Sequence, residues 1–406
     1  MAVGDVHFPE MHPVAGFSLG TTQAGVRYSD RRDLVVMECA EGSSVAAVFT
    51  RNAFCAAPVT LCKEHLSQAS PRYLVTNTGN ANAGTGRQGV ADAKAVCDAL
   101  AELVSLESNQ ILPFSTGVIG ESLPVEPIVQ GLPDAVAALS EMGWEDAAHG
   151  IMTTDTVAKG ATFQREVNGH TVTISGIAKG SGMIHPDMAT MLAYVATDAA
   201  IDEPLLQRMV AHLVERSFNR VSVDGDTSTN DAYLVVATGK SDLPRISDWE
   251  SESATQLLAA LEAVSLELAQ KMVRDGEGAS KFVTLAVEGA ESEQEALDVA
   301  FTVAHSPLVK TALFAADPNW GRILAAVGRA GVTDLRVEGV SIWLDQLPIV
   351  AQGARAMEYR EALGQAVMDQ EEITIRIDLG RGTACETVWT SDLSYDYIKI
   401  NAEYRS

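Results

Sequence analysis

AKGSGMIHPDMATMLAYVATDAA, residues 178–200, sets three small residues, Gly180, Ser181 and Gly182, ahead of a Pro186-Asp187 step and then Ala189-Thr190 before an apolar run. A turn that delivers a hydroxyl to the start of a buried element fits this order. By residue type alone, a threonine beside an alanine before an apolar run is first of all an ordinary start of a helix or strand. Just upstream, TFQREVNGHTVTISGIAKG (162–180) predicts a hairpin, two alternating runs around the Asn168-Gly169 turn signal, which feeds the chain into the glycine-rich loop. Farther out, LVVMEC (34–39) and VAAVFT (45–50) predict strands, and ADAKAVCDALAELVS (91–105) and PDAVAALSEM (133–142) predict helices. LLQRMVAHLVERSF (205–218) and ATQLLAALEAVSLELAQKMVRDG (254–276) repeat apolar residues at helical spacing. The second stops at Gly276 as a C-cap would, and both are expected to pack against sheets. SDLPRISDWESES (241–253) reads as a surface loop. The chain is therefore expected to mix α and β.

With 406 residues, 47% of them hydrophobic, more than one packed unit is expected. Lys and Arg number 29 against 54 Asp and Glu, a net charge of -25 that repels nucleic acid and anionic lipid. The five cysteines, Cys39, Cys55, Cys62, Cys97 and Cys385, form no CxxC pair, so neither a disulfide framework nor a zinc site is indicated. The opening MAVGDVHFPEMHPVAG lacks the basic start and apolar run of an export signal, and no stretch reaches the roughly 18 apolar residues of a membrane span. A soluble, cytoplasmic protein with no nucleic-acid or membrane partner is expected. NTGNANAGTGRQG (77–89) and RDGEGASK (274–281) are glycine-rich, yet neither has the order GxxxxGK[ST] or opens a helix as GxGxxG. HExxH is absent as well, so no metal is expected.

Nine blocks in order carry a family likeness: VFTRNAFCAAPV (48–59), NTGNANAGTG (77–86), STGVIGESLP (115–124), MTTDT (152–156), KGSGMIHPDMATML (179–192), FNRVSVDGDTSTNDA (218–232), VRDGEGASKFVTL (273–285), SPLVKTALFAADPNWGRI (306–323) and YDYIKINAEYRS (395–406). From AGFSLGTTQAGVRYSDRRDLVVME (15–38) to its last residue, the chain resembles the glutamate N-acetyltransferases, also called ornithine acetyltransferases. The resemblance implies a layered αββα sandwich of the self-processing threonine-nucleophile class, roughly 1–285, with a smaller C-terminal α/β portion, roughly 286–406. It also implies that the protein cuts its own Ala189-Thr190 bond, giving chains 1–189 and 190–406 that assemble as an α2β2 heterotetramer.

That chemistry is intelligible from first principles. A threonine hydroxyl set against the preceding carbonyl can take over the acyl group as an ester, and hydrolysis of the ester frees an α-amine on Thr190. With an ordinary pKa of about 8, this amine can serve as base to its own side chain. By the same resemblance Thr116 and Gly117 form the oxyanion hole, and Thr153, Lys179, Thr190, Glu277, Asn401 and Ser406 contact substrate. Lys179 suits an anionic group and Glu277 a cationic one, while Thr153, Asn401 and Ser406 offer neutral hydrogen bonds. Ser406 stands where the family is expected to carry threonine, and Gly84 where cysteine is common. His185 and Asp187 invite a Ser-His-Asp reading, but the N-terminal amine already supplies the base, so both are left outside the site.

The reaction so implied carries acetyl from N-acetylornithine to glutamate through acetyl-Thr190, without cofactor; whether acetyl-CoA is a second donor stays open. Two rivals remain. One is an amidase or aminopeptidase of the same scaffold with water as acceptor, and the other is a binding protein that never cleaves.

Overall fold

A computed structural model describes residues 2–185 and 191–403. Up to residue 237 the strands are β1 (Phe17–Thr22), β2 (Leu34–Cys39), β3 (Ser44–Phe49), β4 (Tyr73–Asn80), β5 (Ile111–Val118), β6 (Lys159–Val167), β7 (His170–Lys179), β8 (Leu192–Thr197), β9 (Val221–Ser222) and β10 (Ala232–Ala237). The helices up to residue 274 are α1 (Ala57–Gln68), α2 (Gly86–Val104), α3 (Val125–Ala137), α4 (Trp144–Gly150), α5 (Glu203–Arg216) and α6 (Glu252–Arg274).

Two sheets face each other, one in the order β1-β2-β4-β5 and the other β3-β10-β8-β7-β6. Side chains alternate between the faces of a strand, so a strand buried on both faces must be apolar throughout. This is how β8 and β10 read. Leu192, Tyr194 and Ala196 of β8, with Ala232, Leu234 and Val236 of β10, meet Val35, Met37, Leu74, Leu112 and Phe114 of the other sheet in one core. Ala193, Val195, Tyr233 and Val235 point the other way, against Met209 and Leu213 of α5 and Leu261, Val264 and Leu268 of α6. On the far side, Leu34, Val36 and Val75 pack under Val96, Cys97 and Leu100 of α2 and Ile128 and Leu132 of α3. The layers run helix, sheet, sheet, helix, the αββα sandwich expected from the resemblance.

A fourth core follows. Strands β11 (Phe282–Ala290), β12 (Ser341–Leu344), β13 (Leu347–Ala351), β14 (Ala354–Arg355), β15 (Glu372–Asp378) and β16 (Ala384–Ser391) join a seven-stranded sheet ordered β14-β13-β12-β15-β11-β16-β9. It is packed by α7 (Glu293–Ala304), α8 (Pro307–Phe314), α9 (Trp320–Gly328) and α10 (Glu361–Met368), and the last helix is α11 (Tyr395–Ala402). Its edge strand β9 comes from between α5 and β10 and runs parallel to β16, tying this sheet to the sandwich.

The hairpin read from Asn168-Gly169 forms as β6 and β7, with both turn residues at positive φ, 49° and 80°. Three readings need correction. The helix expected over 133–142 is α3, which starts at Val125, contains Pro133 and stops at Ala137. The residues beyond it turn aside because Ser140 exchanges both backbone hydrogen bonds with Leu19 of β1, at 2.9 and 3.1 Å. Gly276 does not cap α6. The cap is Asp275, at φ -98°, whose carboxylate is drawn into a buried ion cluster described below. The loop 241–253 is not wholly a surface feature, since Leu243 and Ile246 are buried and Ile246 bridges Ile201, while Ser251 caps α6 by accepting from Ala254 N.

Candidate active site

A cavity of about 290 Å³ opens where the ends of β5 and β7 meet α11. Thr116, Gly117, Thr153, Lys179, Glu277 and Asn401 all line it, so six of the residues expected at the site converge although they span most of the chain. Met191 and Leu192 line it too. The expected cleavage pair Ala189 and Thr190, and the expected contact Ser406, lie outside the described residues.

Each wall has a local cause. Gly117, at φ 136°, lies opposite Gly79 of β4, and a Cβ there would sit 2.3 Å from the Gly79 carbonyl carbon. Only glycine lets the β5 backbone pass so close. Lys179 Nζ donates to Thr116 Oγ1 at 3.0 Å. An ammonium has donors only, so the hydroxyl is the acceptor in this contact and its own hydrogen remains available to the cavity. Burial pushes the Lys179 ammonium below its usual value, Asp155 working against that and Lys159 with it. Nearby, Asn230 Nδ2 donates to Ala81 O at 2.6 Å and Ser115 O at 2.8 Å, pinning the chain before β10 to the other sheet.

Behind this wall stands an ion cluster that sequence reasoning missed. Lys159 Nζ, wholly buried, donates to Asp155 Oδ1 and Asp275 Oδ2, both at 2.6 Å. Burial opposes every charge here. The Lys159 contact and the nearby Lys179 nevertheless hold the Asp155 carboxyl below the usual carboxylate range, and the two carboxylates raise the Lys159 ammonium. Asp155 also accepts from Thr153 N at 2.9 Å and Gly180 N at 2.8 Å, and Asp275 accepts from Thr156 N at 3.0 Å and from the Thr156 hydroxyl. The Asp275 carbonyl takes the Ser181 hydroxyl at 2.5 Å. Three site segments, 153–156, 179–181 and 275–277, are thereby joined at one buried point. The only sequence signal was that Asp155 and Asp275 fall inside matched blocks.

Glu277 is fixed from two sides. Its N–H donates to Ser181 O at 2.9 Å, and its Oε2 accepts from Asn401 Nδ2 at 2.7 Å. Gly182 makes room for its carboxyl, because a Cβ there would lie 2.3 Å from Glu277 Cδ. Asp224 holds the chain that leads into 186–190, accepting from Met183 N at 2.6 Å, Ile184 N at 2.9 Å and the Tyr397 hydroxyl of α11 at 3.1 Å. His185 packs edge-on against Phe301 and His305, with ring centres 5.1 and 4.3 Å away. Asp231, also unremarked in the sequence, lines the cavity and is buried, with no hydrogen-bond partner for its Oδ2 among the described residues.

The arrangement sets the Thr116 hydroxyl beside the Gly117 backbone, with one half-buried ammonium and two carboxyls around the same cavity. It is suited to polarising a carbonyl and gripping a small zwitterion.

The chain matches the family model described as the ArgJ family over residues 18–406. It is 58% identical over 406 residues to the arginine biosynthesis bifunctional protein ArgJ of Pseudomonas fluorescens (strain Pf0-1), covering all of both chains. It is also 58% identical over 394 residues to the protein of the same description from Methylococcus capsulatus, covering 97% of this chain and 96% of that one. Among solved structures it is similar to the arginine biosynthesis bifunctional protein of Bacillus halodurans, at 36% identity and a TM-score of 0.48, over 50% of this chain and 95% of that one.

Proposed function

The chain belongs to the ArgJ family, and from that premise we propose that its cavity moves acetyl from N-acetylornithine to glutamate through an ester on Thr190. It is an acyltransferase of arginine biosynthesis acting on small molecules. The mature enzyme is read as two chains, 1–189 and 190–406, in an α2β2 assembly. A catalytic sandwich over roughly 1–285 is followed by a smaller portion over roughly 286–406. No helix among the described residues is long and apolar enough to cross a membrane, and a cytoplasmic site of action is part of the proposal.

Cleavage comes first. Thr190 Oγ attacks the Ala189 carbonyl, the peptide nitrogen leaves with a proton as the new α-amine, and water hydrolyses the resulting ester to the Ala189 carboxylate. In the transfer reaction this amine takes the proton from Thr190 Oγ as the oxygen attacks the acetyl carbonyl. The developing oxyanion receives the Thr116 hydroxyl and the Gly117 N–H, and ornithine leaves with the proton. The α-amine of glutamate then attacks the acetyl ester and departs as N-acetylglutamate. All of these steps use groups of the chain itself.

The observation that carries this reading is the Lys179 contact on Thr116. Because the ammonium donates to Oγ1 at 3.0 Å, the hydroxyl hydrogen is left to serve as an oxyanion donor beside Gly117. Steady-state kinetics with acetylornithine and glutamate test the proposal. Parallel double-reciprocal lines and N-acetylglutamate as product are expected, whereas acetate as the main product would favour an amidase. The same assay with acetyl-CoA decides whether it is a second donor.

A further inference from the structure

Asp231 lines the cavity and takes no part in the proposed transfer steps. It is 2% exposed and stands one residue before β10. Its backbone is fixed, its carbonyl accepting from Thr50 N at 3.0 Å and the N–H of its neighbour Ala232 donating to Met191 O at 2.8 Å. Its Oδ2 has no partner among the described residues.

Burying a carboxyl with one oxygen unpartnered among the described residues costs stability, and a cation that arrives later can make use of that oxygen. The charge facing it is Lys179 on β7, whose ammonium is engaged with Thr116 Oγ1 rather than with Asp231. Behind Lys179 stand Asp155 and Lys159 on the segment entering β6 and Glu277 on the loop after α6. The Ser228 hydroxyl, a neutral group, hydrogen-bonds the carboxyl and works against its upward shift. Burial pushes the empty Asp231 carboxyl well above the usual range, which favours its protonated form until a cation comes.

We propose that Asp231 is the ammonium receptor of the cavity, the carboxylate on which a primary amine is seated. Resting on the acetyl-transfer reading, that amine is the ammonium of an ornithine-type substrate. A substrate ammonium, arriving charged, displaces the Asp231 proton to solvent, one proton per amine bound.

Wild-type cleavage and acetyl transfer, measured first by intact mass and product analysis, decide the underlying reading by themselves. Ornithine binding to the mature enzyme is then followed by calorimetry in buffers of different ionisation enthalpy, with N-acetylglutamate as the amine-free control. If the substrate ammonium is the guest, ornithine releases about one proton and Asp231→Asn abolishes that release and weakens ornithine binding tenfold or more. N-acetylglutamate binding does not move. Asp231→Asn with neither effect overturns the proposal. So does a variant too unstable to assay, because it would show that the carboxyl already has a structural partner.

Discussion

Asn401 donates its side-chain amide to Glu277 Oε2 at 2.7 Å, so α11 closes on the loop that follows α6 and the far end of the chain becomes a wall of the cavity. Asn401→Ala removes a neutral donor from a carboxylate 7% exposed. Hydrogen bonds to charged groups are worth about 1.5–3 kcal/mol, so KM for acetylornithine is expected to rise roughly tenfold or more. Deleting 401–406 should in addition raise acetate release relative to transfer, as water gains the acetyl ester. Self-cleavage is expected to continue. An unchanged KM and an unchanged ratio of acetate to acetylglutamate would remove the tail from the site.

Thr116→Ala takes away the hydroxyl proposed as an oxyanion donor and leaves Lys179 without its contact to Thr116 Oγ1. Turnover is expected to fall by roughly two to three orders of magnitude. Ornithine binding should hold to within a few-fold. Thr116→Ser, which keeps the hydroxyl, should recover most of the rate. Thr190→Ala is expected to stop both cleavage and transfer, and a mass of the intact chain with no acetylglutamate formed would be the result.

Lys159→Met leaves Asp155 and Asp275 buried together without their cation. Breaking such a cluster by removing one partner costs about 3–5 kcal/mol, and urea denaturation at neutral pH is expected to show a loss of this size. The pH dependence has a definite sign. Asp155 is held below its ordinary value of 3.8 in the folded protein, so its share of the stability is complete above that pH and is lost as pH falls toward the lower folded value. Wild-type protein should therefore weaken below about pH 4 more steeply than Asp155→Asn does.

Lys310 gives a dependence of the same sign at the alkaline end, from a buried cation. Its ammonium is buried, donating to Thr390 Oγ1 at 2.9 Å and to the Ser391 carbonyl, and burial pushes it down to about 8 from 10.5, with Asp392 and Asp224 opposing. Between these values the unfolded chain binds more protons than the folded one, so this residue makes stability rise with pH from about 8 toward 10.5. The difference between wild type and Lys310→Met in urea midpoint should follow that rise. A difference that is flat from pH 7.5 to 10 would refute it.

How far the sequence could be read depended on the range over which its residues act. Asn168-Gly169 announced a hairpin because a two-residue turn is a local matter, and the apolar runs of β2 and β3 were visible because both of their faces are buried. Nothing local says that β3 lies next to β10, nearly two hundred residues later. The site divides in the same way. Thr116, Gly117 and Lys179 were named through matched blocks, but Lys159 looks like any lysine at the start of a strand until Asp275 arrives from 116 residues away. Asp231 sits in DGDTSTND (224–231), a run whose polarity suggests an exposed turn, and only the packing of the two sheets buries it. The misplaced α3 shows the converse, since Pro133 looked like a helix start and is tolerated in mid-helix.

The order β3-β10-β8-β7-β6 has a consequence for what the enzyme is once cut. A break between 189 and 190 gives β3, β6 and β7 to one product and β8 and β10 to the other, so the second product's pair of strands is clasped on both edges by the first. Neither fragment can leave without opening the centre of the sandwich, which is unfolding in all but name. Fragment exchange between molecules should therefore be no faster than global unfolding. Mixing isotopically heavy and light mature enzyme should yield no hybrid pairs over days at room temperature. Each mature enzyme would then be a lineage of one: the two fragments working together are the two halves of a single translated chain, and an inactive copy cannot be repaired by a healthy neighbour.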